Sequence, residues 1–199
     1  MRPFNGYKAE RKSTRETLPT GGYVARILDA KEIGYTWGSV LEISFDICEG
    51  DFRDFFATDY RSNTAEDKKW RGTYRLTVPK DDGSEKDGWT KNTFNGAMWA
   101  IEESNPGYRW SWDETTLKGK LVGVIYRNKE WEMNGNTGWT TECGMFDTID
   151  NIRSGKFKPM KDKPLKNKAA APAFGGGAWT PAGAAVNIGF SEPDGDLPF

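Results

Sequence analysis

The stretch Lys68-Lys69-Trp70-Arg71-Gly72-Thr73-Tyr74-Arg75 interleaves positive charge with flat rings at close spacing. Cations of this kind follow a chain of phosphates, while the rings stack on unpaired bases, each stacked base contributing about 1–3 kcal/mol. Tyr126-Arg127-Asn128-Lys129-Glu130-Trp131 repeats the combination on a smaller scale. Tyr35 and Trp37, then Arg53, Phe55 and Arg61, and finally Tyr108-Arg109-Trp110 supply further rings and charges. Their charged neighbours predict exposure for Trp70, Tyr74 and Trp131. Trp37 lies on the same period-two line as Leu41 and Phe45 and so competes for a place in the core, as does one of Phe52, Phe55 or Phe56. Trp99, beside Met98, is expected to pack. The ordinary alternative for the remaining Arg and Lys is to solubilise an edge strand.

Other chemistry is poorly provided for. The chain has no His, which removes Ser-His-Asp and Cys-His catalysis and the commonest zinc ligand together. Cys48 and Cys143 lie far apart without a C-x-x-C and are expected to be reduced and structural. Acids cluster at Asp46, Glu49, Asp51 and Asp54, and again at Asp81, Asp82, Glu85 and Asp87. A metal-dependent nuclease would need such groups, yet no spacing forces either set together. The phosphate-cradling G-x-x-x-x-G-K-[ST] is absent. No catalytic residue, metal ligand or cofactor is therefore assigned.

The net charge is -1, from Lys+Arg 28 against Asp+Glu 29, so any basic face must be local. Aromatics make up 14%, including 9 Trp, more than one core of this size requires. A chain of 199 residues fits one domain with tails. No apolar run reaches the roughly 18 residues of a membrane span, and the polar N-terminus reads as lacking a signal peptide.

In chain order, residues 1–17 form a basic arm carrying Arg2, Lys8, Arg11, Lys12 and Arg15. Turn chemistry at Leu18-Pro19-Thr20-Gly21-Gly22 introduces a first strand, Tyr23 to Leu28, with a turn region from Lys31 to Gly38. Leu41, Ile43, Phe45 and Ile47 then alternate along a second strand. Phe52 to Tyr60 reads as a third, paired back as a hairpin across Glu49-Gly50-Asp51. After an irregular segment, Phe94, Ala97, Met98 and Ile101 mark a helix capped by Asn92 or Thr93 and ended by Asn105-Pro106-Gly107. Lys120 to Arg127 and Trp139 to Ile152 supply the last two strands, joined through Asn134-Gly135-Asn136. Strand, strand, strand, helix, strand, strand is the order of the OB-fold: a mainly β, five-stranded, partly open barrel with one helix between strands 3 and 4. Such barrels present strands two and three and their flanking loops to oligonucleotides. The assigned domain runs over 18–155. Residues 156–189 read as a flexible linker, Lys-rich and then Gly/Ala/Pro-rich, which cannot offset its ordering entropy by burial. Together with residues 190–199 it makes a disordered C-terminal tail.

The tip of that tail places Leu197 and Phe199 beside Asp194 and Asp196 at the chain end, with Pro198 favouring extended backbone before it. An apolar plug, a terminal carboxylate and a negative rim suit a basic pocket with an apolar floor on another protein. The tip resembles that of bacterial single-stranded DNA-binding proteins, which closes with acids, a branched aliphatic and Pro-Phe; here Gly195 interrupts the acids. In that family the tip recruits replication and repair enzymes. The body resembles bacteriophage-encoded OB-fold single-stranded DNA-binding proteins over roughly residues 18–152. The likeness lies in Leu18-Pro-Thr-Gly-Gly-Tyr23, in Leu41-Glu-Ile-Ser-Phe45 followed by Gly50, and in Leu117-Lys-Gly-Lys-Leu-Val-Gly-Val124. It implies a non-catalytic protein that coats single-stranded DNA in the cytoplasm of an infected bacterium during replication, recombination or repair. Partner proteins would dock at Asp194, Asp196, Leu197, Pro198 and Phe199, with no membrane involved and oligomeric state left open. A β-sandwich carbohydrate-binding or virion-attachment module is the alternative, with a metal-dependent nuclease behind it.

Overall fold

The computed structural model describes residues 16–165; the acidic tip, most of the basic arm and the Gly/Ala/Pro-rich part of the linker lie outside them. Five antiparallel strands form one sheet: β1 (Gly21–Tyr35), β2 (Gly38–Ile47), β3 (Thr73–Thr77), β4 (Leu121–Met133) and β5 (Asn136–Asp147), in the order β3-β2-β1-β4-β5. Among the described residues three α-helices accompany them: α1 (Phe55–Ser62), α2 (Glu85–Ser104) and α3 (Ile149–Arg153). β1 is central because it is long enough to pair with β2 along Ala25 to Tyr35 and with β4 along Gly21 to Arg26.

Alternation decides which face is buried. Leu41, Ile43, Phe45 and Ile47 of β2 are almost inaccessible, as are Val122, Val124 and Tyr126 of β4. Phe94, Ala97, Met98 and Ile101 turn the apolar stripe of α2 into the same core. Register shifts at Leu28 in β1 and at Gly144 in β5 let both strands bend. The sheet curls until its two edge strands meet through side chains: Tyr74 of β3 lies 4.6 Å from Phe146 of β5, ring centre to ring centre.

Several boundaries differ from the sequence reading. The stretch 52–60 is a turn leading into α1, and the third strand is Thr73–Thr77, inside the segment read as irregular. Phe52, Phe55 and Phe56 stand at i, i+3 and i+4, a helical spacing, and their rings pack edge to face 5.2 to 6.1 Å apart. The helix also has an unusual cap. Asp54 at its N-terminus makes no side-chain cap, and the Asp46 carboxylate reaches across from β2 to accept the N–H groups of Phe56 and Ala57 at 2.9 and 3.0 Å. α2 begins at Glu85, eight residues ahead of Thr93, because Ser84 accepts the Asp87 N–H as a side-chain cap. β1 continues through Lys31 to Tyr35, the stretch read as a turn. β5 stops at Asp147, since Thr148 caps α3.

The linker boundary also moves. Phe157 packs at Gly22, and residues 162–165 lie along β4 beyond the point where β1 has ended. Lys163 accepts from the Glu130 N–H and donates to the Asn128 carbonyl, both at 2.9 Å. This short strap covers backbone groups that an unpaired edge would leave open. Close packing elsewhere requires glycine. A Cβ on Gly72 would overlap the Phe45 carbonyl and approach the Phe56 ring to 2.6 Å. Gly72→Ala is therefore expected to cost about 2–4 kcal/mol of stability. A denaturant midpoint unchanged from the native protein would contradict that.

Candidate nucleic-acid interface

Two of the ring-and-cation stretches come together. A cleft of about 980 Å³ opens where β3 faces the β4–β5 hairpin, and Arg71, Tyr74, Arg75, Tyr126, Arg127 and Lys129 all line it. Strand periodicity sorts the second stretch by face. Arg127, Lys129 and Trp131 share one side of β4 with Glu142 of β5, whereas Tyr126, Asn128 and Glu130 take the other. Trp131 lies over Gly138, directly opposite in the pairing, where a Cβ would come within 2.7 Å of the ring. A run of two cations and one ring thus leads along β4 to the hairpin tip.

Acids balance these cations unevenly. Arg71 pairs with Asp59 of α1 at 3.2 Å and also donates to the Glu16 carbonyl. Arg75 pairs with Glu42 at 2.8 Å; Lys31 approaches the same carboxylate at 3.4 Å, making a row across β1, β2 and β3. Burial pushes the Glu42 carboxyl up, but Arg75 and Lys31 outweigh it and leave the group below its ordinary value. Glu142 carries more: Arg127, Lys129 and Lys163 stand 3.1, 2.8 and 3.7 Å from its oxygens. Its partial burial raises the carboxyl and these cations lower it, with a net fall. The Arg75, Lys129 and Lys163 side chains remain open to solvent while paired, so the cleft keeps a positive rim.

Trp70 and Tyr74 are corrected from exposed to packed. The Trp70 indole donates to the Phe45 and Gly72 carbonyls at 3.1 Å, tying β2 to the segment before β3. Tyr74 points into the core, and burial raises its hydroxyl well above the ordinary phenol range. Tyr126 behaves in the same way. Exposed rings nearest the sheet lie at the hairpin tips, while Trp89, Trp99 and Trp112 are exposed on or beside α2. Tyr35 and Trp37 stack with ring centres 5.2 Å apart and planes within 8°, and 38% of Trp37 is accessible, so it does not join the core. Lys80 approaches this tip at Gly38. At the opposite hairpin Trp131 is partly exposed and Trp139 is 53% exposed.

The remaining assigned residues gather around α1, away from the cleft lining. Arg53 pairs with Asp54, Phe55 packs on Phe52 and Phe56, and Lys68 lies over the Tyr60 ring. Arg61 and Lys69 are exposed there. Trp99 is exposed on α2 instead of packed, and Trp112 stacks on Phe94 with its outer side open. Sequence reasoning missed Lys163, Glu142, Leu18 and Trp139. Lys163 belonged to an evenly spaced Lys run that resembled a solvated linker. Glu142 faces Arg127 in the strand pairing, a signal visible only once the register is known.

The acids are taken up in structural pairs. Asp46 caps α1, Glu49 pairs with Arg153 at 2.6 Å, and Asp81 and Asp87 share Lys91, Asp87 at 3.0 Å. Among the described residues no group of acids, Cys or His is placed to hold a metal ion, and no helix is long and apolar enough to cross a membrane. No protein-family model matches the chain, and no curated protein matches it in sequence.

Proposed function

We propose that this protein binds single-stranded DNA without catalysis, along a path from the Tyr35–Trp37 tip across β2 and β3 into the cleft and on to Trp131. One observation supports the reading above the others: two separate ring-and-cation stretches converge on one cleft, with exposed rings at the hairpins flanking it. Cations follow the phosphates there, and the rings at the tips offer faces to the bases. The strand order, the curled sheet and the helix between β3 and β4 fit a partly open OB barrel, in which the β1–β2 and β4–β5 loops flank the bound strand. Tyr74 in the cleft wall and Trp70 beside it are packed against the core, which leaves stacking to Tyr35, Trp37, Trp131 and Trp139.

The chain enters the body at this cleft. Leu18 lines it, and its carbonyl accepts from the Thr141 hydroxyl at 2.5 Å. A protein of this type would coat single strands during phage replication or recombination, and the acidic tip would recruit other replication proteins. Oligo-dT titrated against tryptophan fluorescence at two salt concentrations tests the assignment. Quenching that weakens steeply with salt is expected from counterion release. A response to oligosaccharide that is indifferent to salt would favour the carbohydrate-binding alternative, and no response to oligo-dT at low salt would end the proposal.

A further inference from the structure

We propose that Glu142 is an internal stand-in for a backbone phosphate, which a bound strand displaces and a lone phosphate does not. The inference rests on the cleft being the strand-binding site. A carboxylate and a phosphodiester each carry one negative charge on two accessible oxygens, and both are natural partners for a guanidinium fork. Glu142 occupies the place such a group would take, bridging Arg127 and Lys129 of β4 and Lys163 of the strap.

The cations are engaged without being saturated. Arg127 directs both Nε and Nη2 at the single oxygen Oε1, at 3.3 and 3.1 Å, so the fork does not use its parallel two-oxygen geometry. Lys163 remains at 3.7 Å. About 44% of the Lys129 side chain and 32% of the Lys163 side chain are accessible. An incoming phosphate therefore finds willing donors that are already attended by a tethered competitor.

The competitor sets selectivity. Glu142 is attached to the site, so a monoanion must displace it alone. A polyanion taking Arg127, Lys129, Lys163 and Arg75 together spreads that cost over several contacts. The cleft consequently favours a phosphate chain over inorganic phosphate or single nucleotides. It also releases its strand more readily than an unopposed cluster would.

Glu142→Gln keeps the shape and removes the charge. Binding of oligo-dT at about 0.1 M salt is expected to tighten roughly tenfold, and the slope of log K against log salt to steepen by about 0.7, one additional phosphate contact. Inorganic phosphate, expected to bind the native protein scarcely at all, should bind the variant. Equal or weaker oligo-dT binding by a variant that melts like the native protein would overturn the inference. A measurement on the native protein removes any dependence on the variant's folding. The Glu142 carboxyl, followed by carbon NMR, should titrate at higher pH with oligo-dT bound than without, because the strand has taken its cations; an unchanged midpoint in a saturated complex overturns the inference. If the native protein ignores oligo-dT altogether, the single-strand reading falls by itself. Inorganic phosphate binding gained by Glu142→Gln would then still uphold the competing carboxylate, and its absence would overturn that as well.

Discussion

Asp46→Ala is expected to lower stability by about 3 kcal/mol, near 10 °C in melting temperature for a body of this size. The Asp46 carboxylate accepts three backbone N–H groups, from Ile47 and Phe56 at 2.9 Å and from Ala57 at 3.0 Å, and the residue is only 7% exposed. Alanine would leave these donors without their acceptor, two of them in the first turn of α1. Loss of an ordinary side-chain cap costs about 1 kcal/mol; burial increases the penalty because water reaches the site poorly. Asp46→Asn, which keeps one carbonyl oxygen, should recover part of the loss. The effect also reaches the cleft. α1 carries Asp59, which holds Arg71 in the cleft wall, so a frayed helix should weaken strand binding modestly as well. Thermal and urea unfolding measure the first effect, and an Asp46→Ala protein within about 0.5 kcal/mol of the native one would refute this account of α1.

The double substitution Lys129→Ala/Lys163→Ala is expected to weaken oligo-dT binding by one to two orders of magnitude at low salt. The salt slope should flatten by about 1.4, two contacts at roughly 0.7 each. These positions are chosen because Arg127 still neutralises Glu142 at 3.1 Å in the variant, so no partly buried acid is left alone. Exposed ion pairs of this kind contribute little to folding, and the melting temperature should hardly move. A loss of affinity with an unchanged slope would place the two ammonium groups away from the phosphates. Unchanged affinity would move the bound strand out of the cleft.

Much of this was readable from residue order, and the failures have identifiable causes. Period-two burial in β2 and the i, i+3, i+4 stripe of α2 are local patterns, so both elements were visible without tertiary information. The stretch 52–60 deceived because its aromatics suit strands, while the deciding feature, the Asp46 cap, comes from another element. Trp70 and Tyr74 deceived for a related reason. Their charged neighbours, Lys69, Arg71 and Arg75, do reach water, but alternation turns the rings inward, and the Trp70 indole finds carbonyl partners that sequence does not reveal. The basic-aromatic stretches are visible in residue order alone. Their meeting in one cleft, and the acid set among them, depended on register between β4 and β5, which a bulge at Gly144 shifts by one residue.

Leu18 and Leu165 both line the same wall. The two terminal segments are therefore rooted beside one another at the cleft, not at opposite poles of the body. Anything that binds either segment is held near the cleft at an effective concentration that reaches the millimolar range for short tethers. The body gains this proximity from where Leu18 and Leu165 are anchored, without any further contact having to form.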